Sequence, residues 1–458
     1  MVMKIHTTIL FLLAPLTICA QGSLSLEQAA KLTAENNPQI KAAEYQQLAA
    51  HQKRQAAKGL YFPKISTTAA WMTLQKDIAI DINPLKPLLG HLNIAALLGL
   101  DWSYTLQNRN LGFIEGDITI PLFTGGKIIA ANRAAEASER ATIAEKTGCE
   151  SRIFSELVER YFGVVLTSNA VKVRQLAVKS IEQHKADIET LIENGMATNI
   201  SLLQINYALA KVRQQLFAAE STLTIAQKGL CTTVGVDSIE NLSTTIFICT
   251  TIENFDTFFD WAKVSNAQLQ YIDAERRLAH ENIAIHRANF FPEIIAFAGG
   301  GFGHNVTNIL PRWAVGVGLQ FTLFDGLNRE HNFAAAKSTF RRVEELQQSA
   351  NQQIKLLIES LYNKCIDYLQ QVVALEKATE FAREYAANIR EAFIENMASS
   401  TDVIDATLAV AASQIELLEA AYNFDISLAK LLEAAGESSR FFNYLNNVNS
   451  KSIEYEAY

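Results

Sequence analysis

Few residues of this chain are spaced for chemistry. Asp402 and Asp405 stand three apart in Ser400-Thr401-Asp402-Val403-Ile404-Asp405-Ala406-Thr407, and on a helix that spacing sets two carboxylates on one face. Such a pair can attract cations. Asp402 also has a plainer role, since a negative charge in a first helical turn favours the helix dipole. Asp405, a turn further on, is less explained by it. The eight histidines are scattered, and His280 and His286 do not share a helix face. Gly299-Gly300-Gly301-Phe302-Gly303 is followed by a strand pattern, not a helix, so it is no phosphate cradle. It reads as a smooth, small-residue wall and hairpin end. There is no nucleophile elbow and no P-loop. Cys149, Cys231, Cys249 and Cys365 lack metal spacing. Cys231 and Cys249 are near enough in sequence to bridge across a loop, with buried free thiols the expected state. The expectation is a non-enzyme with no catalytic residue, no cofactor and no metal.

The elements that position Asp402 and Asp405 are organised by two joints. Ile118–Ala137 runs from an alternating strand through Gly125-Gly126 into a helix, and Leu319–Thr339 does the same through Gly326. Leu122-Phe123-Thr124-Gly125 matches Leu323-Phe324-Asp325-Gly326. Other pairs follow. Asn37-Pro38-Gln39-Ile40 parallels Asn266-Ala267-Gln268-Leu269, and Leu60-Tyr61-Phe62-Pro63 parallels Asn289-Phe290-Phe291-Pro292. The chain is a tandem repeat: helix, strand, strand, long helix, turn, helix. Residues 24–235 make the first repeat, with a capped helix from Ser25, a hairpin over 60–123, a long helix over 127–193 and a helix over 199–232. Residues 236–255 are an insert with a small strand at 244–248. Residues 256–436 make the second repeat: a helix, a hairpin over 292–324, a long helix over 329–395 and a helix over 401–435. The polar tail, 437–458, is expected to be disordered.

Each long helix is free of proline and would be roughly 100 Å long at 1.5 Å per residue. No ordinary core holds such a rod. Ile354, Leu357, Leu361, Tyr368, Val372 and Leu375 keep a spacing near the coiled-coil repeat. Two shorter helices laid end to end match one long one, so paired short helices would flank each long one. Insert and C-terminus would then meet midway. The connection over 76–110 reads as a loop packed on itself, with a lid as the sharper alternative.

Composition narrows the setting. The 458 residues allow more than one domain. A net charge of −8 with interspersed signs shows no basic patch for nucleic acid. Lys4, the apolar Ile9–Ile18 and Ile18-Cys19-Ala20 read as a signal peptide over 1–20. Leu16-Thr17-Ile18-Cys19 also resembles a lipobox, with bulky Ile18 where a small residue is normal, so lipidation of Cys19 is a second reading. No later run of about 18 apolar residues occurs, which excludes a membrane helix. An exported chain of this kind is periplasmic, secreted, or a membrane β-barrel.

The strands fit a barrel, and the export signal together with the length of the rod favours it. On the strand ending at Phe123, Ile114, Ile118, Ile120 and Leu122 share one face, with Glu115, Asp117 and Thr119 on the other. On the last strand Trp313, Val315, Val317, Leu319, Phe321 and Leu323 oppose Ala314, Gly316, Gly318, Gln320 and Thr322. A wall between lipid and water has this pattern; so does a half-buried sheet packed on helices. Four strands leave two open edges, and edges cannot face lipid, so copies must share the barrel. Two chains would give eight strands and a filled interior; a channel needs at least three.

The tandem repeat, the two hairpins and the Ser400–Thr407 segment together resemble the TolC family of outer membrane channel proteins, over Leu24 to Gly436. The resemblance implies an α+β membrane protein: a homotrimer with a long α-helical coiled-coil barrel across the periplasm and four β-strands per chain in a shared 12-stranded transmembrane β-barrel. It implies a periplasmic adaptor and an inner-membrane RND or ABC transporter as partners. Export of small molecules or polypeptides, in a tripartite efflux or type I secretion system, would follow. It also implies that Asp402 and Asp405 form rings narrowing the periplasmic end. The first repeat has Ser201 and Gln204 at the matching places. The tyrosine and arginine that hold the gate shut in the best-known members are replaced by Phe393 and Ala398. The rival expectation is a secreted or periplasmic coiled-coil scaffold or adhesin without a pore.

Overall fold

Ser25 starts the fold by exchange of hydrogen bonds. Its side chain accepts the Gln28 N–H at 3.2 Å, and the Gln28 side chain accepts the Ser25 N–H at 3.0 Å. This capping box opens α1 (Leu26–Asn36). Pro38 opens α2 (Pro38–Lys58), where proline has no helical N–H to lose. Then come β1 (Lys64–Thr73), β2 (Ile78–Asp81), β3 (Ser103–Gln107), β4 (Asn110–Phe123), α3 (Lys127–Glu193) and α4 (Asn199–Val234). The second half holds β5 (Phe247–Cys249), α5 (Phe255–Ser265), α6 (Ala267–Ala288), β6 (Glu293–His304), β7 (Trp313–Gln320), α7 (Asn328–Ile394) and α8 (Ser400–Ala435). It ends in α9 (Phe441–Leu445) and β8 (Ser450–Ser452). This computed structural model describes residues 23–81, 103–239, 241–304 and 312–454. The signal segment, Cys19 and residues 82–102 of the 76–110 connection lie outside them.

The described residues form two compact units. The first, residues 42–149 with 262–356, carries a four-stranded antiparallel sheet in the order β1-β4-β6-β7. The two repeats meet at its centre, along β4 and β6, while β1 and β7 are its outer strands. β2 and β3 pair separately, so the connection expected as a loop begins and ends as a ribbon. Both joints use left-handed backbone, at Gly125 (φ +60°) and Gly126 (φ +86°) in one, and Gly326 (φ +72°) and Leu327 (φ +67°) in the other. The second hairpin is shorter than the expected 292–324, because β7 stops at Gln320. The Arg329 guanidinium donates to the carbonyls of Thr322 (2.9 Å) and Leu323 (3.2 Å) and lies 3.3 Å from Asp325. Those carbonyls serve the start of α7 instead of a strand ladder.

The second unit holds residues up to 41, 150–261 and from 357 onward. Its core is aromatic: Tyr161, Phe162, Phe247, Phe258, Phe424 and Phe441 are fully buried. The tail expected to be disordered is part of it. Phe441 packs edge-on against Phe154 and Phe247, with ring centroids 5.9 and 5.6 Å apart, and β8 pairs with the insert strand β5. Burial of Phe441 and Tyr444, three apart on α9, orders a segment whose average polarity hides them. The insert strand itself lies at Phe247–Cys249, later than 244–248. Thr244 is used instead as a clasp, its hydroxyl accepting the Leu26 N–H at 3.0 Å. All four described cysteines are free, Cys249 and Cys365 buried, Cys149 and Cys231 half-buried.

α8 buries one carboxyl completely, that of Asp425. One oxygen accepts the Phe247 N–H at 3.2 Å, and the other has no hydrogen-bond partner among the described residues. Burial pushes the Asp425 carboxyl well above the usual range, the Phe247 N–H offsetting part of it. The native state therefore keeps a proton that the unfolded chain releases near its ordinary value of about 3.9. Stability should fall as pH rises above ~4, by up to about 1.4 kcal/mol per pH unit, until the folded group ionises. Asp425→Asn removes this dependence. Thermal unfolding at pH 5, 7 and 8.5 checks it: the wild-type midpoint should drop more steeply with pH than the variant's.

Candidate functional site

Two places bear on function, the apolar face of the sheet and the turn before α8. The strand register sorts the sheet residues into two faces. Ile65, Ile118, Ala298 and Val315 lie side by side across the four strands. Ala69, Ile114 and Phe302 make another such row, and Ile120, Ala296 and Val317 a third. Large groups on this face are uncovered: Trp71 is 67% exposed, Phe302 80% and Trp313 72%. The opposite face carries Ser66, Asp117, Gly299 and Ala314 in one row and Thr68, Glu115 and Gly301 in the next. Ser66 donates to the Asp117 carboxylate.

The apolar face is bounded by aromatics at both ends. Trp71, Phe302 and Trp313 lie away from the helices, and Tyr61, Phe62, Phe291, Phe321 and Phe324 lie exposed at the helix side. The 12 residues of β6 run roughly 40 Å, or about 28 Å in height at a 45° tilt. An apolar band of that height between aromatic girdles fits a bilayer. Among the described residues no helix is long and apolar enough to cross a membrane.

The two helix-end turns share one geometry. At the first, Gly195 has φ +71°, and the Met196 N–H reaches the Leu191 carbonyl at 2.8 Å. At the second, Asn396 has φ +61°, and the Met397 N–H reaches the Ala392 carbonyl at 2.8 Å. This is a left-handed helix end of the Schellman type. Counting from Gly195 and Asn396, Ser201 stands where Asp402 does, and Gln204 where Asp405 does.

The turns differ in how the next helix is capped. Thr198 caps α4 with no side-chain bond. Ser399 caps α8 by a full box: its hydroxyl accepts the Asp402 N–H at 3.2 Å, and Asp402 Oδ2 accepts the Ser399 N–H at 2.8 Å and hydroxyl at 2.7 Å. The Ser399 hydroxyl and N–H hold the Asp402 carboxyl below the usual carboxylate range. So Asp402 has the capping role, and both it and Asp405 are exposed. Gln204 is exposed and Ser201 half-buried. Ala398 is half-buried, its N–H 3.3 Å from the Ala392 carbonyl. Phe393 turns inward, onto a cluster with Ile181, Ile188, Ile205 and Ile404.

Two functional candidates escape the sequence reading. Ser399-x-x-Asp402 is a legible capping signature that it does not single out. His184 is the other. Ala177, Ile181, His184 and Ile188 recur at four-three-four spacing along α3, and that spacing is the one signal that it sits on a buried stripe. Among the described residues no His, Cys, Asp or Glu cluster is arranged to hold a metal ion.

Comparison with known proteins fits this geometry. No curated protein matches the sequence. Among solved structures, the outer membrane protein VceC from Vibrio cholerae superposes with a TM-score of 0.72 at 16% identity, over 90% of this chain and 96% of that one. The CmeC outer membrane channel of Campylobacter jejuni gives 0.73 at 14%, over 92% and 89%. The MtrE outer membrane channel of Neisseria gonorrhoeae, in its open state, gives 0.71 at 14%, over 90% and 89%. These likenesses establish a fold shared with channel proteins. Residues 29–236 and 260–437 match the outer membrane efflux protein family. With most of its length inside that match, the chain belongs to the outer membrane efflux protein family and resides in the outer membrane, extending into the periplasm.

Proposed function

We propose that three copies of this chain close into one channel that serves as the exit duct of a tripartite efflux or type I secretion system. The observation that carries this is the sheet: four strands, two outer edges, and an apolar face uncovered in one chain. Backbone groups on an edge cannot face lipid, so β7 of one copy pairs with β1 of the next. Three copies give a 12-stranded barrel, the smallest multiple of four that leaves a water path. The helices also offer a surface to a neighbouring copy. Ile200, Leu203 and Tyr207 are 67–72% exposed at three-four spacing on α4, a stripe that a second copy would cover.

In that assembly Asp402 and Asp405 ring the periplasmic end, and a periplasmic adaptor joins it to an inner-membrane RND or ABC transporter. The transporter supplies the energy, and small molecules or polypeptides are the cargo. Planar-bilayer recording of detergent-purified protein tests the reading. Asp402→Asn with Asp405→Asn leaves a side-chain oxygen at 402 that can still accept from Ser399 and removes six charges from the trimer. Block by multivalent cations should weaken by roughly tenfold or more, the effect of losing about 1.4 kcal/mol of attraction. Unchanged block would remove the constriction from these residues.

A further inference from the structure

One buried ionisable group sits beside that constriction. His184 of α3 is 4% exposed. Its Nε2 lies 2.9 Å from Ser400 Oγ, and Ser400 is the first residue of α8, next to the cap Ser399. Phe393 of α7 meets the ring edge-on, centroids 4.8 Å apart. Three helices thus converge on one imidazole, and one of them begins with the segment that bears Asp402. The charged groups acting on it are Asp187 of α3 and Arg390 of α7, which lie 3.8 Å from each other. α8 faces it with the Ser400 hydroxyl and backbone.

This setting suits a neutral ring. An added proton would place a cation in an apolar pocket, near Arg390, at the positive end of the α8 dipole. Burial holds the His184 imidazole below its ordinary value; Asp187 and the Ser400 backbone offset part of that, and Arg390 adds to it. A group with a depressed folded pKa favours the packed state fully above the unfolded value, about 6.5. That contribution is lost as pH falls from there through the folded value.

We propose that His184 is a proton-operated latch on the end of α8. Neutral, it fastens the first turn of α8 to α3 through Ser400; protonated, it leaves its pocket and lets that turn move with Asp402. The proposal deepens the constriction reading above and rests on it for its functional meaning. Acidification would then loosen the periplasmic end without any change in the barrel.

Hydrogen–deuterium exchange over residues 393–405 at pH 7.5, 6.0 and 5.0, corrected for intrinsic rates, tests it on the assembled protein. In the wild type, exchange should rise several-fold toward pH 5.0. His184→Gln keeps a hydrogen-bonding amide and cannot ionise, so protection should persist at all three values. Wild-type protection that stays level, or an equal rise in the glutamine variant, would overturn the latch. If that variant does not assemble, Asp187→Asn decides: losing the carboxylate that favours the charged ring should move the transition to lower pH, and an unmoved transition overturns the proposal. Cation block that ignores Asp402 and Asp405 while the exchange step persists would remove the constriction and leave the latch.

Discussion

Phe441→Ala should lower the stability of the unit that contains it by about 3–5 kcal/mol, the range for deleting a fully buried aromatic ring. The ring is enclosed by Phe154, Phe162, Phe247 and Phe442. Its loss leaves a cavity among rigid neighbours that cannot collapse. β5 and β8 pair through only three residues each, so their ladder depends on this packing. The neighbouring Phe442 is half-buried, and its alanine variant should lose clearly less. Chemical denaturation of the detergent-solubilised protein compares the two. Near-equal, small losses would mean that the C-terminal segment hangs free.

Gly125→Ala should be the more damaging change for assembly. Gly125 has φ +60°, and an L-residue there carries a strain of about 1–2 kcal/mol. A Cβ would also lie 2.7 Å from the Ala288 carbonyl oxygen and 2.8 Å from Phe291 Cβ. Backbone must shift to admit it, at a further cost of about 1–3 kcal/mol. Gly326 occupies the same place in the second joint with φ +72°, and nothing lies within 4 Å of a Cβ built there. Gly326→Ala should therefore cost only the strain. The yield of folded, membrane-inserted protein should fall sharply for the first variant and modestly for the second. Equal yields would show that the two joints are interchangeable.

The joints also mark what the sequence reveals. Glycine before a proline-free run fixes both strand-to-helix turns, and period-two alternation assigns the sheet faces correctly. Alternation cannot tell which strands are neighbours: β4 and β6 pair across the two repeats although some 170 residues separate them in the chain. The end of β7 is hidden because Phe321 and Leu323 continue the alternation while Arg329, on the next helix, takes the carbonyls. The tail is misread because two buried aromatics are diluted by asparagine and serine. At the second turn, Asn396 does the work of Gly195, which a search for glycine alone would miss. The inward turn of Phe393 and the burial of His184 depend on three helices meeting, and no single stretch of sequence carries that.

A channel forms from this chain only if sibling chains close its incomplete sheet. A density map of detergent-purified particles tests it most directly. It should show three-fold symmetry, 12 strands in one closed wall, and a continuous lumen running from the barrel to the ring of Asp402 and Asp405. A two-fold or single-chain particle, or a three-fold one with no central lumen, would contradict it.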